Sequence, residues 1–384
     1  MAHALLSPSS ASRWIACTPS ARFEQQFPDS SSVFAQEGTL AHSLGELLIN
    51  FKLGWIKKPA YKKALELIKK NEHYEEAMFD HCEDYAVFVM ERYAEAQTRS
   101  KYAQIHLEVK LDMTKWVPDG FGTSDVVIVA DDFMETIDLK YGKGVPVSVE
   151  ENKQQMLYAL GALDGYEFLF DIHTVRMTVY QPRLDNIASW ETTVMALKLW
   201  AEDDLTTKAN MAHNGEGDFI PGPHCGFCRG KAVCKALAEY NLQLAKHEFA
   251  HPNILKDEDI AAIMEKTKMF VNWIESVNSY ALDQAINHNK KWPGYKVVEG
   301  RSNRKYADAE KVAEILSKKG YPEETIYNKK LIGISDMESE LGKKLFADLL
   351  GEYIIKPQGK PTLAPATDKR PEINSLEKAQ KEFS

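Results

Sequence analysis

Residues 121–140, FGTSDVVIVADDFMETIDLK, decide the fold of this chain. Two apolar runs separated by a pair of aspartates predict two consecutive β-strands joined by a tight turn, since strands are short and bounded by turn-forming residues. Asp125 begins the first predicted strand, and Asp138 and Lys140 end the second. Residues i and i+2 of a strand share a face, so Asp138 and Lys140 should point the same way. The hairpin should place Asp125 beside Asp138.

This grouping of two carboxylates and a lysine suits a hard divalent cation such as Mg²⁺ or Mn²⁺, which prefers oxygen ligands. Such a cation would bind a scissile phosphate and lower the pKa of a water molecule. Lys140 would hold or deprotonate that water, or stabilise developing charge. The alternative is a structural hairpin with exposed carboxylates and a surface salt bridge. The residues alone leave both interpretations open.

The periodicity of apolar residues predicts the elements around the hairpin. They are helices at about 37–51 and 74–100, strands at 105–111, 125–130 and 134–139, a helix at 152–169, a strand at 175–181 and a helix at 191–211. This order predicts an α/β fold with a mixed central sheet flanked by helices. Beyond it we expect a long helix near 257–289, helices at 308–319 and 335–350, and an extended Pro-rich tail at 356–371.

The expected domain organisation therefore has three parts: a core domain at 1–250, a long connecting helix at 251–292, and a small helical C-terminal domain at 293–384.

The chain has 384 residues and a net charge of -9, which disfavours a uniformly basic protein that coats nucleic acid. No stretch approaches the roughly 20 apolar residues of a membrane span, and the first residues lack a basic leader. We expect a cytoplasmic protein without a membrane partner.

Three further side chains extend the candidate site. Gln154 and Tyr158 are spaced i, i+4 on a predicted helix, so they share a face and could contact a phosphate or fix the lysine. His42, on the first periodic helix, could be a third metal ligand. Each of these residues is also common in a purely structural role.

The cysteines form a second constellation. Cys225, Cys228 and Cys234 lie within ten residues and need one more ligand, Cys17 or Cys82, to complete a four-coordinate set. Zinc and iron–sulfur clusters both accept four thiolates, so spacing alone does not distinguish them.

The motifs Gly38-x-x-x-His42, Gly122-x-x-Asp125, Asp138-x-Lys140 and Gln154-x-x-x-Tyr158, in this order, resemble the RecB-like branch of the PD-(D/E)XK nuclease superfamily, over roughly residues 9–235. The resemblance implies a restriction-endonuclease-like core and metal-dependent hydrolysis of DNA. It also implies the ligands and catalytic residues of the site: His42, Asp125, Asp138 and the Leu139 carbonyl on the metal, Lys140 on the attacking water, and Gln154 and Tyr158 completing the pattern. Glu108 matches an additional acidic position loosely.

A subset of these nucleases, including the AddB subunit and CRISPR-associated exonucleases, carries one cysteine before the nuclease core and C-x₂-C-x₅-C after it. Cys17, within SSASRWIACTP at residues 9–19, and Cys225, Cys228 and Cys234 match that arrangement. The resemblance implies that these four hold a [4Fe–4S] cluster joining the two ends of the domain. Cys82 is then left as a free, buried thiol.

Segments at 142–147, 300–304 and 356–361 further resemble an uncharacterised family of bacteriophage-encoded proteins. Together the resemblances imply a metal-dependent exonuclease acting on DNA ends in phage recombination or replication, in the host cytoplasm. A phage recombination or single-strand-binding protein is the expected partner, and Arg183 and Lys143 are candidate DNA contacts. Two alternatives remain: a nuclease fold that has lost activity and serves in DNA binding or recruitment, and a zinc-stabilised structural protein.

Overall fold

The computed structural model describes residues 4–28, 33–142, 144, 146–248, 257–298, 309–319, 322–327 and 333–354. Lys143, the segment 300–304 and the Pro-rich segment 356–371 lie outside the described residues. Contacts divide the chain into two units, Met1–Leu255 with Thr267–His288 and Lys256–Lys266 with Asn289–Ser384. The three-part division at residues 250 and 292 stays a prediction.

A run of helices precedes the sheet: α1 (Ala11–Ala16), α2 (Ser20–Glu24), α3 (Val33–Lys52), α4 (Lys58–Lys69) and α5 (Glu76–Arg99). The start of α4 follows from its sequence, because Pro59 in its first turn suits a helix beginning after the extended Lys57. Helices α3 and α5 pack against each other and against one face of the sheet, where Leu44, Leu48 and Val89 are buried.

The sheet has five strands in sequential order: β1 (Gln104–Asp112), β2 (Phe121–Ala130), β3 (Asp132–Leu139), β4 (Ile172–Gln181) and β5 (Asn186–Thr193). Strands β1 to β3 form an antiparallel meander, and β4 and β5 are also antiparallel. Strands β3 and β4 are parallel, so they need a crossover, and α6 (Lys153–Tyr166) provides it. The predicted α/β fold with a mixed sheet flanked by helices is confirmed.

The sequence of β2 is a continuous apolar run because both faces of the strand are buried. Val127 and Val129 lie in the core cluster that includes α6, whereas Val126 and Ile128 lie in the cluster that includes α3 and α5. Both faces of the strand are therefore buried, as in sheets covered by helices on both sides.

The predicted helix at 191–211 was wrong at its start, because β5 occupies Asn186–Thr193. The residues of β5 alternate between half-buried and exposed. Because the strand lies at the sheet edge and is polar, its sequence carries a weak strand signal. Thr193 then caps α7 (Val194–Trp200) by accepting a hydrogen bond from the N–H of Ala196 at 3.1 Å. A π-helical turn at Ala201–Leu205 leads into α8 (Thr206–Asn214).

The remaining helices are α9 (Lys235–Glu248), α10 (Asp257–Asn287), α11 (Ala309–Lys318), α12 (Glu323–Ile326), α13 (Ile334–Leu341) and α14 (Lys343–Leu350). The single helix predicted at 335–350 is in fact two helices, because Gly342 has φ = 77°, a left-handed conformation that interrupts the helix. Within the described part of the chain, no helix is long and apolar enough to cross a membrane.

Candidate active site and cysteine cluster

Three acidic residues form a row across the first three strands. The pairs Leu107↔Val126 and Val109↔Ser124 flank Glu108 and place it opposite Asp125. The β2–β3 register, continued one residue beyond its last pair, places Asp125 opposite Asp138. Glu108 has φ = 47°, and this left-handed conformation interrupts its pairing with β2 at that point. The meander therefore gathers carboxylates that are up to 30 residues apart in sequence.

His42 approaches this row from α3. Its Nδ1 atom lies 3.0 Å from Oδ1 of Asp125. Ligand atoms of His42, Glu108 and Asp125 all lie within 4.8 Å of one another, which is close enough for one cation to bind all three. The other oxygen of Asp125 accepts a 2.7 Å hydrogen bond from the N–H of Leu139. Leu139 thus contacts the site through its amide, and its carbonyl as a metal ligand stays a prediction.

Lys140 and Asp138 form the second half of the site. Lys140 Nζ lies 2.8 Å from Asp138 Oδ2 and donates to Gln154 Oε1 at 3.1 Å. The amide nitrogen of Gln154 lies 3.3 Å from both Asp138 Oδ1 and the Tyr158 hydroxyl. Asn152 caps α6 by accepting from the N–H of Gln154, so the first turn of the helix holds the glutamine in place. One amide therefore bridges the lysine, the acid and the tyrosine.

Burial and charge shift the pKa values of the site. Burial raises the pKa of Asp138, although Lys140 opposes this shift. Burial and then the charge of Asp125 raise the pKa of Glu108 to about 7. Burial favours neutral His42, but the charge and hydrogen bond of Asp125 outweigh it and raise the pKa of His42 to about 9. His42, Glu108 and Asp138 therefore hold their protons more tightly than usual, in part because negative charges are crowded in the site. A bound cation would relieve that crowding.

The oxygen Oδ2 of Asp138 gives an independent test of whether a metal fits. It is buried, and apart from the ion pair with Lys140 it has no hydrogen-bond donor among the described residues. A buried carboxylate oxygen normally has such partners. A divalent cation would be a further partner for this oxygen, and the carboxylates of Asp125 and Asp138 are ligands that Mg²⁺ and Mn²⁺ prefer.

Arg183 follows β4, and its side chain is largely buried within the protein. It pairs with Glu37 at 2.8 Å, and its guanidinium lies 4.7 Å from the centre of the Tyr141 ring. Tyr141 directly follows Lys140 and also contacts His81 of α5. Arg183 thus holds the segment after Lys140, and its contact with DNA stays a prediction, as does that of Lys143.

The structure also gathers the cysteines. Cys17, Cys225, Cys228 and Cys234 line one small cavity of about 20 Å³, which Arg13 and His224 also line. Cys17 ends α1, and the other three surround the 3₁₀ turn Pro223–Phe227 and the start of α9.

The environment of these thiols suits metal ligation. The N–H of Gly222 points at Cys225 Sγ at 3.4 Å, the kind of backbone contact that stabilises a thiolate. Burial raises the pKa of Cys17 and Cys225, and raises that of Cys228 to about 12, so these thiols are neutral unless a metal displaces their protons.

Hydrogen bonds join the two chain segments around this cavity. Thr18 donates to the carbonyl of Glu216 at 2.6 Å, and Glu24 accepts from the N–H of Arg229 at 2.7 Å. Cys82 lies elsewhere, fully buried in α5 with its thiol 3.4 Å from the carbonyl of Ala41. The structure thus groups Cys17, rather than Cys82, with the three later cysteines.

The chain resembles a protein family over almost its whole length. A family model described as "Protein of unknown function (DUF2800)" matches residues 3–371. The chain belongs to the DUF2800 family. Among solved structures, one titled "Crystal structure of SSO0001" is 13% identical, and the alignment covers 50% of this chain and 85% of that chain with a TM-score of 0.23. A superposition this loose supports no inference about fold or function.

Two residues of this DUF2800 protein matter more than the sequence indicated. Glu108, a loose match to the motif, is one of the three groups that converge on a single point. The register of β1 against β2, which the sequence does not set, places it opposite Asp125. Tyr85 of α5 is buried, its hydroxyl has no hydrogen-bond partner among the described residues, and it faces the charges of Asp125 and Asp138. No local sequence signal marks that tyrosine.

Proposed function

We propose that this protein is a metal-dependent deoxyribonuclease that hydrolyses phosphodiester bonds at DNA ends. The main support for this proposal is that ligand atoms of His42, Glu108 and Asp125 lie within 4.8 Å of one another. The Asp138–Lys140 ion pair lies beside them. A meander of three strands followed by a crossover helix and a parallel strand is the core expected of a PD-(D/E)XK nuclease. The fold therefore supports the same assignment as the motifs.

The side chains divide the chemistry between them. His42, Glu108, Asp125 and Asp138 would hold Mg²⁺ or Mn²⁺, which when bound lowers the pKa of a water molecule and neutralises charge on the phosphate. Burial lowers the pKa of Lys140, but the Asp138 carboxylate outweighs it and raises that pKa overall. A lysine that keeps its proton acts by donating hydrogen bonds, so we assign Lys140 to orienting the water and stabilising developing charge. Gln154 keeps the ammonium group of Lys140 in position.

The test is degradation of linear and covalently closed circular DNA with Mn²⁺, Mg²⁺ or neither. We expect degradation of linear DNA only, dependent on metal and lost in Lys140→Ala. Lys153→Ala, which removes a lysine at the start of the same helix, is the matched control and should stay active. Failure of the wild-type protein to cleave any DNA would favour the alternative, a nuclease fold that serves in DNA binding or recruitment.

We also propose that Cys17, Cys225, Cys228 and Cys234 hold a [4Fe–4S] cluster. Tetrahedral zinc with Zn–S bonds of about 2.3 Å needs sulfur atoms only about 3.8 Å apart. Among the described residues, His42, Glu108 and Asp125 are the one set of three or more such ligands within 4.8 Å, so no three of the four cysteine sulfurs lie that close to one another. The spacing favours the larger cluster over a single zinc ion.

Metal analysis of anaerobically purified protein tests the cluster. About four iron and four sulfide per chain, with broad visible absorbance, are expected for four-thiolate ligation of this cluster. A colourless protein with one zinc per chain would instead support the zinc-stabilised alternative. A role in phage recombination or replication, a single-strand-binding partner and a cytoplasmic location are proposed from the sequence resemblances alone.

A further inference from the structure

Residues 52–70 concentrate positive charge in an otherwise acidic protein. This segment, in and around α4, contains one acidic residue, Glu66, and seven lysines: Lys52, Lys57, Lys58, Lys62, Lys63, Lys69 and Lys70. Its net charge is therefore +6 in a chain whose total is -9, which leaves -15 for the rest. A basic helix on an acidic protein is the electrostatic footprint of a surface that binds a polyanion.

Five of these lysines, which we call the α4 lysine surface, are free to contact a partner. They are Lys57, Lys58, Lys62, Lys63 and Lys70, all of them exposed. None forms an ion pair with an acid in the described part of the chain, whereas Lys69 pairs with Glu76 at 3.1 Å. Lys58 and Lys62 are four residues apart on the helix, so their side chains lie next to each other. This arrangement presents adjacent positive charges to solvent.

Most of the apolar face of α4 is already used in packing. Tyr61, Leu65 and Ile68 pack against the core cluster that α3 and α5 form, and Tyr61 stacks on Phe51 with ring centres 4.2 Å apart. A basic helix that binds a membrane inserts its apolar face into the lipid. Because these three residues are occupied and Leu67 is the one large apolar residue of α4 left exposed, at 64%, the outward lysines favour a polyanion with discrete phosphates over a lipid surface.

The loop before α4 adds an aromatic contact. Trp55 is 56% exposed, although a tryptophan side chain normally buries much of its area. Exposed aromatic rings beside lysines are how proteins bind single-stranded nucleic acid, because unpaired bases stack on the ring while the phosphates meet the positive charges.

The C-terminal end of α4, next to Lys70, is linked through α5 to the candidate active site. Lys69 pairs with Glu76 in the first turn of α5, and Tyr85 lies nine residues further along the same helix. That distance is about 14 Å at 1.5 Å per residue. Tyr85 packs against Gly45 of α3, one turn after His42, so that a Cβ on the glycine would lie 3.1 Å from the tyrosine ring. The distance of about 14 Å between Glu76 and Tyr85 corresponds to about four nucleotide steps at 3.4 Å each.

We propose that the α4 lysine surface and Trp55 bind the sugar–phosphate backbone of DNA and direct it toward the candidate active site. The choice of DNA among polyanions rests on the proposed nuclease function. The lysines themselves act through phosphate contacts, so binding should depend on salt and little on base sequence.

The test measures binding without cleavage, by fluorescence anisotropy of labelled single-stranded and duplex DNA in buffer without divalent cations. The variant combines Lys58→Gln, Lys62→Gln and Lys63→Gln. The matched control combines Lys115→Gln, Lys208→Gln and Lys235→Gln, three lysines that pair with neighbouring acids and give the same change in net charge. Thermal melting establishes that both variants fold.

We expect the α4 variant to bind DNA at least about 10-fold more weakly at about 100 mM salt, with a salt slope smaller by about two to three. The control should match the wild-type protein. Trp55→Ala should weaken binding of single-stranded DNA by about 5-fold or more and affect duplex DNA less.

Equal affinities of the α4 variant and the control would overturn the proposal. So would lysine-dependent binding to phosphatidylserine vesicles without binding to DNA, which would make the partner a membrane. The nuclease proposal fails separately: lysine-dependent DNA binding without any cleavage leaves the docking surface standing. Cleavage by the wild-type protein with unchanged binding by the α4 variant leaves only the nuclease standing.

Discussion

Lys140 and Asp138 lie on the same side of the end of β3, with Nζ 2.8 Å from Oδ2, and Gln154 of α6 contacts both of them. The amide oxygen accepts from the lysine while the amide nitrogen donates to the acid. An amide is suited to this role because one group supplies both an acceptor and a donor. The orientation of the ammonium group therefore depends on a helix that follows the hairpin in sequence.

Replacing Gln154 should lower the catalytic rate more than it weakens DNA binding. Gln154→Ala removes the three hydrogen bonds to Lys140, Asp138 and Tyr158, each worth about 1 kcal/mol, so we expect kcat to fall about 10-fold or more. The lysine would keep its charge but lose its orientation, so KM should change little. Steady-state cleavage of linear DNA measures both constants, with Lys153→Ala as the control. An unchanged kcat would show that the glutamine does not position Lys140.

Replacing Glu108 should weaken metal binding. Glu108→Gln keeps the shape of the side chain but removes a charged ligand, and we expect the Mn²⁺ concentration for half-maximal activity to rise about 10-fold or more. Isothermal titration of Mn²⁺ into the protein checks the affinity without cleavage. The control is Glu151→Gln, an exposed residue before α6. If both variants bind Mn²⁺ like the wild type, Glu108 is not a ligand.

Cys17 and Cys82, which are both buried, should respond differently to substitution. Cys17→Ser should lose iron, sulfide and visible absorbance, and lower the melting temperature, because ligand binding contributes to folding. Cys82→Ala should retain the full iron content and cost about 1 kcal/mol through the small cavity that it leaves in the core. Iron analysis and thermal denaturation of both variants distinguish the roles. Retention of iron by Cys17→Ser would remove this residue from the ligand set.

The glycine of the Gly-x-x-Asp motif should be required for packing. A Cβ at Gly122 would lie 2.7 Å from Pro8 and 3.0 Å from the ring of Tyr158. We expect Gly122→Ala to lower the free energy of unfolding by about 1–3 kcal/mol, the usual range for overpacking. At Gly165 of α6 a Cβ would meet nothing within 4 Å, so Gly165→Ala should be neutral or slightly stabilising. Urea denaturation measures both, and equal effects would contradict the steric explanation.

The sequence by itself determined the hairpin, its acids and most of the helices and strands around it. These features follow from periodicity and turn residues, which are properties of neighbouring positions. The order of Asp125, Asp138, Lys140, Gln154 and Tyr158 also implied their proximity, because a tight hairpin and a crossover helix leave little freedom of placement. The strand β5 was missed because an edge strand with one exposed face carries a weaker apolar pattern.

Only the tertiary structure decided which distant residues meet. Glu108, in a left-handed conformation, comes within 4.8 Å of His42, and the packing of α1 near the segment before α9 brings Cys17 to the later cysteines, as the resemblance implied. The outward orientation of the α4 lysines likewise depends on the core that buries the opposite face of that helix. Contacts between residues nearly 200 positions apart arise from the packing of whole elements, which no local pattern encodes.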